Sequence, residues 1–263
     1  MKPLHVLLDL DGLYLMGFSG KEAVQKDIAD LHACFARFED MLRITIITAR
    51  PAAEVRPLIH LLPRTREEIH LTELGMVAYV AKRDKLVIHP AQQKFVSTCR
   101  AELIEKLGRE FTLSYFDPMH GQFLPGRVAL ISLTPPIGIS QTRYAELVNS
   151  FLESNGWMDM IARGGETVDI LPKGWTKADA LEWLETLYAK SGRPIDWSSA
   201  VWLADRQSDS STADYVRFHG GRCACPANGD ETYKEKVHEL DGNVSGGNYH
   251  RGLAQALIWA LEA

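Results

Sequence analysis

The chain has 263 residues, of which 46% are hydrophobic, enough for one large domain or two smaller ones with a sizeable buried core. Its 29 Lys and Arg residues are nearly balanced by 34 Asp and Glu residues, with no long run of either sign. This balance gives no electrostatic support for binding to nucleic acid or to an anionic membrane, so the expected partner is a small molecule. The N-terminal segment is too short and too interrupted by carboxylates for a signal peptide or a membrane span, which predicts a cytoplasmic protein.

The chain opens with alternating strand and helix patterns. Residues 5–8 form a continuous apolar run that ends at two carboxylates, which predicts a strand buried on both faces. Apolar residues at helical spacing follow over residues 21–38, and residues 44–47 predict a second buried strand. Pro51 suits the first turn of another helix. This order is typical of the beginning of a parallel sheet.

The middle of the chain has more strand patterns than helix patterns. Strands are predicted at 76–80, 86–89, 111–116, 128–133 and 158–162, and helices near 92–107 and 140–154. Alternation then resumes with a helix near 176–190, strands at 200–203 and 222–225, and closing helices near 230–238 and 250–261. We therefore predict an α/β fold in which residues 1–82 and 168–263 form a Rossmann-like, doubly wound parallel-sheet core, and residues 83–167 form an inserted α+β cap domain.

A pair of carboxylates ends the first predicted strand. Asp9 and Asp11 are two residues apart, so an extended backbone points both side chains the same way. One carboxylate can attack phosphorus, while the other protonates the leaving oxygen and later activates water. Two negative groups facing an anionic substrate need a cation between them, and Mg²⁺ meets that need. Taken alone, a chance D-x-D in a turn with Gly12 is an equally good interpretation.

Two further segments offer phosphate-binding chemistry. Thr48 places a hydroxyl at the end of the second predicted strand, with the helix N-terminal amides of Ala49 and Arg50 after it; an ordinary N-cap Thr is the simpler alternative. Lys177 stands at the start of a predicted helix, where a positive charge gains nothing from the helix dipole. A role as a charge clamp on the nucleophile and the phosphoryl group would explain that position.

A third group of acids follows the strand predicted at 200–203. Asp205 and Asp209 supply the additional carboxylates that a magnesium site needs. Helix capping is a good alternative for Asp209 and a weaker one for Asp205. Open parallel sheets bind ligands at the carboxyl ends of their strands, which is where these acids are predicted to lie.

These four segments, in this order, resemble the four motifs of the haloacid dehalogenase superfamily: D-x-D-G, a Ser or Thr at a strand end, a Lys, and an acidic G-D-x-x-x-D loop. The long insert before the lysine is similar to the subfamily with a large α/β cap (class IIB), which holds sucrose-phosphate, trehalose-phosphate and Cof-type phosphatases and eukaryotic phosphomannomutase. Glu73, Leu74 and Gly75 resemble the E-N-G-A turn of those proteins, and the segment from Asp169 to Lys177 resembles their segment around the lysine.

The resemblance implies a role for each motif residue. Asp9 would be the nucleophile, Asp11 the acid/base, Thr48 a phosphate ligand and Lys177 the charge clamp. Mg²⁺ would be bound by Asp9, the Asp11 carbonyl, Asp205 and Asp209. The predicted substrate-binding residues are Gly12, Ala49, Arg50 and, in the cap, Arg127; for Arg127 a solvated position at a strand edge is the alternative.

The sequence departs from the superfamily pattern at Leu13, Ala204 and Ser208, where Thr, Gly and Asn are usual. None of these changes removes a charged group, but all alter the predicted surroundings of the metal. The predicted function is magnesium-dependent hydrolysis of a small phosphomonoester, such as a sugar phosphate, through an aspartyl-phosphate. A phosphomutase and a non-catalytic ligand-binding protein of the same fold are the alternatives. The identity of the substrate and the oligomeric state stay open.

Overall fold

The computed structural model describes residues 3–15, 25–62, 65, 68–114, 116–117, 122–123, 127–165 and 167–262. The chain divides into two compact units. The first unit comprises Met1–Arg50, Glu54–Val87 and Thr176–Ala263, and the second comprises Pro51–Ala53 and Ile88–Trp175. Within the described ranges, no helix combines the length and the apolar character needed to cross a membrane.

The described helices and strands follow one another in this order. The first half contains β1 (Leu4–Leu8), α1 (Gln25–Arg37), β2 (Leu42–Ile46), α2 (Ala52–Leu58), β3 (Ile69–Thr72), β4 (Val77–Val80), β5 (Lys85–Ile88), α3 (Pro90–Lys94), which continues through a π-helical turn (Phe95–Cys99), and α4 (Arg100–Glu110). The second half contains β6 (Phe116–Asp117), β7 (Gln122–Phe123), β8 (Ile131–Leu133), α5 (Gln141–Ser154), β9 (Met160–Gly164), β10 (Val168–Pro172), α6 (Asp179–Lys190), β11 (Ala200–Leu203), α7 (Ser210–Phe218), β12 (Arg222–Cys225), α8 (Glu231–Glu239), β13 (Asn243–Val244) and α9 (Tyr249–Glu262).

The first unit is built on a five-stranded sheet in the order β13-β12-β11-β1-β2, and all of its pairings are parallel. The central strands β1 and β11 are buried along their whole length, as their apolar sequences require. Helices α7, α8 and α9 pack against this sheet, and α6 packs against β3 of a smaller β3-β4-β5 sheet. The predicted α/β core with a parallel sheet is therefore confirmed.

The second unit is built on an antiparallel sheet in the order β8-β10-β9. Its hydrophobic core joins these strands to α4 and α5, with Leu107, Ile131, Val148 and Ile170 all completely buried. Because β10 is hydrogen-bonded on both sides within this sheet, residues 168–175 belong to the insert and not to the core where they were predicted. Conversely, residues 83–87 lie in the first unit, since β5 belongs to the β3-β4-β5 sheet. The insert thus spans 88–175 instead of 83–167.

Several elements differ from their sequence predictions. The strand predicted at 111–116 is broken: Phe111 is the C-cap of α4, Leu113 forms a single bridge to Leu133, and β6 begins only at Phe116. The strand predicted at 128–133 is shortened to Ile131–Leu133. The patterns of β3, β10, α7 and β13 were not predicted, because these elements are short or lie beside Pro- and Ser-rich turns.

Candidate functional site

The D-x-D-G segment extends from the carboxyl end of β1. The N–H of Asp9 donates to the Leu203 carbonyl at 2.9 Å, so Asp9 continues the pairing of β1 with β11. The chain then turns at Gly12, which has a φ of +76°. A Cβ atom at this position would lie 1.7 Å from Asp205 Oδ2, so only glycine lets the segment approach the Asp205 carboxylate this closely.

Four charged side chains from three parts of the chain meet at this end of the sheet. Lys177 Nζ lies 2.9 Å from Asp9 Oδ2 and 2.8 Å from Asp209 Oδ1. Carboxylate oxygens of Asp9, Asp205 and Asp209 all lie within 4.8 Å of one another. All four residues are buried, with Asp209 only 1% exposed. The structure therefore brings together Asp9, Lys177, Asp205 and Asp209, which the sequence proposed for one site.

Burial and mutual repulsion perturb the ionisation of this cluster. Burial raises the pKa of Asp9 well above its ordinary value; the Lys177 ammonium opposes this shift, and the neighbouring carboxylates add to it. Burial likewise raises the pKa of Asp205 to about 7. For Lys177, burial disfavours the ammonium, but attraction to Asp209 and Asp9 outweighs it and raises the pKa. The cluster is thus short of positive charge.

The same cluster has the donor set of a site for a divalent cation. With all four groups ionised, three carboxylates around one ammonium leave two negative charges uncompensated. Asp205 Oδ1 and Asp209 Oδ2 are buried, yet neither has a hydrogen-bond partner among the described residues. Buried carboxylate oxygens without donors are costly unless a cation binds them. These residues therefore fit Mg²⁺, which prefers carboxylate and carbonyl oxygens.

Asp11 lies outside this cluster and has a different partner. Its carboxylate accepts hydrogen bonds from two nitrogens of Arg50: Nε lies 3.0 Å from Oδ1 and 3.1 Å from Oδ2, and Nη2 lies 2.6 Å from Oδ1. Arg50 also pairs with Glu54 through Nη1 at 2.6 Å. The guanidinium predicted to bind substrate is therefore held between two carboxylates, and Glu54 is not among the residues predicted for the site. Glu54 lies four residues after Arg50, in the first turn of α2, and this spacing is the sequence signal that points to it.

The second predicted motif is held in place by a left-handed turn. Thr48 is completely buried, and its hydroxyl accepts the Arg50 N–H at 3.2 Å. Glu73 and Leu74 have φ values of +52° and +57°, and their N–H groups donate to the carbonyls of Arg50 and Thr48. Gly75 follows with a φ of +82°. The turn at residues 73–75 thus fixes the backbone on both sides of Ala49, which is half-buried.

Arg127 lies in the second unit, before β8. It is 6% exposed, so the alternative of a solvated position is wrong. Its carbonyl accepts a hydrogen bond from Arg100 Nη2 at 3.1 Å. Contact between Arg127 and a substrate stays a prediction.

The chain is similar in structure to several solved proteins over almost its whole length. A haloacid dehalogenase-like hydrolase from Bacteroides thetaiotaomicron has a TM-score of 0.69 at 17% identity, covering 98% of this chain and 99% of that one. The sucrose-phosphatase from Synechocystis sp. PCC6803, solved with sucrose and phosphate, has a TM-score of 0.62 at 16% identity, covering 99% and 98%. The chain has a haloacid dehalogenase-like fold. No protein-family model and no curated protein matches its sequence.

The three departures from the haloacid dehalogenase motifs lie in different surroundings. Leu13 and Ala204 are buried, at 1% and 0% exposure, so apolar side chains occupy these two positions. Ser208 is exposed in the turn formed by Gln207–Asp209. Two of the three positions are thus occupied by buried apolar side chains, and the third by an exposed serine.

Proposed function

We propose that this protein is a magnesium-dependent phosphatase that hydrolyses a small phosphomonoester, such as a sugar phosphate, through an aspartyl-phosphate on Asp9. The observation that carries the proposal is the contact of one buried ammonium, Lys177, with both Asp9 and Asp209. Beside it lie oxygens of Asp205 and Asp209 that have no hydrogen-bond partner in the described part of the chain. The proposed partner is a small phosphorylated metabolite in the cytoplasm, with no role for nucleic acid or membrane.

Asp9 is oriented for attack by two hydrogen-bond donors. Its Oδ1 accepts the N–H of Leu10 at 2.9 Å, and its Oδ2 contacts Lys177. In the proposed first step, an Asp9 oxygen forms a bond to phosphorus while the bond from phosphorus to the ester oxygen breaks. Lys177 offsets the negative charge of the phosphoryl group. Asp9, Asp205, Asp209 and the Asp11 carbonyl would hold Mg²⁺, which supplies neutralisation of the phosphoryl oxygens.

Asp11 would move the protons of the reaction. In its protonated form Asp11 gives a proton to the leaving alcohol, and the carboxylate that remains takes one from the water that hydrolyses the aspartyl-phosphate, releasing inorganic phosphate and restoring Asp9. Arg50 holds the Asp11 carboxylate through two of its N–H groups. This fork geometry limits the rotation of the carboxylate, so Arg50 is proposed to orient Asp11 toward the leaving group.

The test is phosphate release from a panel of phosphomonoesters with Mg²⁺, comparing the wild type with Asp9→Asn. The substitution keeps the shape of the side chain and removes its nucleophilic charge, so we expect kcat to fall by at least about 10³-fold. Asp84→Asn is the matched control: Asp84 is an exposed carboxylate with a φ of +46°, which Asn also adopts, and full activity is expected. Equal turnover by Asp9→Asn and the wild type would refute the proposal.

Two other outcomes would identify the alternatives. A hexose 1-phosphate converted to its isomer, with no free phosphate, would indicate a phosphomutase that uses the same aspartyl-phosphate. Absence of turnover by the wild type on every phosphomonoester, with ligand binding retained, would indicate a non-catalytic binding protein.

A further inference from the structure

The loop that follows β12 carries a side chain that joins two distant parts of the first unit. Asn228 Nδ2 donates to the Gly12 carbonyl at 2.9 Å, and Asn228 Oδ1 accepts the N–H of Tyr249 at 2.6 Å. Both hydrogen bonds of this amide therefore go to backbone groups. Asn228 touches none of the proposed catalytic or metal-binding side chains through these bonds, and the sequence motifs had not singled it out.

The bond to Gly12 fixes the segment that carries Asp9 and Asp11. The Gly12 N–H already donates to the Leu15 carbonyl at 2.8 Å, so Asn228 completes the hydrogen bonding of this glycine. Gly12 is also the residue that lies directly against the Asp205 carboxylate. A shift of Gly12 would therefore change how closely the D-x-D-G segment approaches Asp205.

The same loop also holds Asp205 from its other side. The Asp230 N–H donates to the Asp205 carbonyl at 2.8 Å, and Asp230 Oδ2 accepts the N–H of Gln207 at 3.2 Å. Gly229, between Asn228 and Asp230, has no room for a side chain, because a Cβ atom there would lie 2.2 Å from Cys225 Sγ. Loop 226–230 thus contacts both the D-x-D-G segment and Asp205, which together would bind the cation.

The second bond of Asn228 restrains a strained residue. Tyr249 has a φ of +44°, a region that a bulky residue adopts only when its surroundings hold it there. Tyr249 begins α9, which packs against β11, β12 and β13. The Asn228 amide therefore links the D-x-D-G segment to a helix that packs on the central sheet. This link limits the movement of the Asn228 side chain.

We propose that Asn228 is a positioning residue that sets the affinity of the site for Mg²⁺ by holding Gly12, and with it the D-x-D-G segment, at a set distance from Asp205. The inference rests on the proposed function, because it takes the carboxylate cluster to be a magnesium site. Groups that orient metal ligands without touching the metal typically contribute 10- to 100-fold to metal affinity.

The experiment measures Mg²⁺ binding to the full chain by titration calorimetry in the absence of substrate. We expect Asn228→Ala to weaken Mg²⁺ binding by about 10- to 100-fold and to lower kcat/KM at limiting Mg²⁺, with activity recovered at excess Mg²⁺. If Asn228→Ala does not fold, Asn228→Ser is measured in the same way, and weakened binding is again expected. An Asn228 variant that is folded and binds Mg²⁺ with wild-type affinity overturns the inference.

Asn149 provides a matched control in the second unit. Its side chain also bonds twice to backbone, donating to the Ala162 carbonyl at 3.1 Å and accepting the Ala162 N–H at 2.7 Å. Asn149→Ala should lower thermal stability and leave Mg²⁺ affinity unchanged. An equal loss of affinity in both variants would mean general destabilisation and would overturn the positioning role. If the wild type does not bind Mg²⁺, the proposed function is overturned together with this inference. If the wild type binds Mg²⁺ and the Asn228 variants bind it equally well, only this inference is overturned.

Discussion

Lys177 and Arg50 each serve two carboxylates, and this sharing defines the charge pattern of the site. Lys177 contacts Asp9 and Asp209 in a buried setting, whereas Arg50 contacts Asp11 and Glu54 in a partly exposed one. Removal of one member of a buried ion pair leaves an uncompensated charge, while an exposed pair contributes little to folding. Substitutions of Arg50 can therefore separate an effect on activity from an effect on stability.

We predict that Arg50→Gln lowers kcat for phosphate release by about 10- to 100-fold, because Asp11 loses the fork that orients it. The free energy of unfolding should change by less than about 1 kcal/mol, since the pair is partly solvated. Phosphate-release kinetics and urea unfolding measure the two effects. Arg56→Gln, which removes an exposed pair with Asp84 in the same unit, is the control and should keep wild-type kcat. An unchanged kcat in Arg50→Gln would contradict the proposed orienting role.

At the scale of single elements, the turn at residues 73–75 connects the second motif to α6. Its N–H groups bond to the carbonyls of Thr48 and Arg50. Gly75 packs directly on α6, where a Cβ atom would lie 2.3 Å from Ala180 Cβ. Because α6 begins just after Lys177, a displacement at Gly75 would act on both sides of the site. Glu73 and Leu74 are consecutive non-glycine residues with positive φ, a strained backbone that these hydrogen bonds hold in place.

We predict that Gly75→Ala lowers the free energy of unfolding by about 2–4 kcal/mol, which combines left-handed strain with overpacking against Ala180. Gly192→Ala is the matched control: Gly192 has a φ of +75°, but no described atom lies within 4 Å of its Cβ position. That variant should lose only about 1–2 kcal/mol from strain. Urea unfolding of both variants gives the comparison. Equal losses would show that packing on α6 contributes nothing.

At the scale of the whole molecule, a buried polar network ties the first unit together. Tyr188 at the end of α6 donates to Glu68 Oε2 at 2.6 Å, and its hydroxyl lies 2.7 Å from Thr45 Oγ1 in β2. Thr45 Oγ1 in turn lies 2.9 Å from His5 Nε2 in β1. His70 in β3 accepts the Ile46 N–H at 3.0 Å. These hydrogen bonds join β1, β2, β3 and α6. Protonation of the buried histidines among them should therefore affect the stability of the first unit.

Acidification should therefore destabilise the protein through its buried histidines. Burial lowers the pKa of His5 to about 3 and the pKa of His70 to about 4. The unfolded chain takes up protons on these histidines near pH 6.5, and the folded chain does not. The free energy of unfolding is therefore unaffected by these two groups above about pH 6.5, and it decreases as the pH falls toward the lowered pKa values of His5 and His70. Between pH 7 and pH 5 each histidine should contribute a loss of about 2 kcal/mol.

The measurement is the free energy of urea unfolding at pH 7 and pH 5 for the wild type and His5→Gln. Carboxyl groups also titrate, so the informative quantity is the difference between the two proteins. We expect the drop between the two pH values to be smaller by about 2 kcal/mol in His5→Gln. His60→Gln, at an exposed histidine, should keep the wild-type drop. The same drop in His5→Gln as in the wild type would show that His5 is not the responsible group.

Local patterns were sufficient for much of the fold and for most of the charged residues of the site. The bounds of β11 and β12 are those predicted, and β1 and α5 differ by one residue, because continuous apolar runs and helical spacing are properties of neighbouring residues. The placement of Asp9 and Asp205 just after β1 and β11, with Asp209 in the turn that follows, agrees with the same reasoning, since parallel strands in one sheet bring their carboxyl ends to one edge.

The sequence by itself thus determined a parallel α/β core with an inserted unit and an acidic edge that includes one lysine. Only the tertiary structure decided that Lys177 is shared by Asp9 and Asp209, while Asp11 pairs with Arg50. It also decided that β10 belongs to the insert and that Asn228 donates a hydrogen bond to Gly12. Asn228 and Gly12 are far apart in the chain, and no local spacing relates them. Such pairings depend on how whole elements pack, so their physical origin lies in long-range contacts that no local sequence pattern specifies.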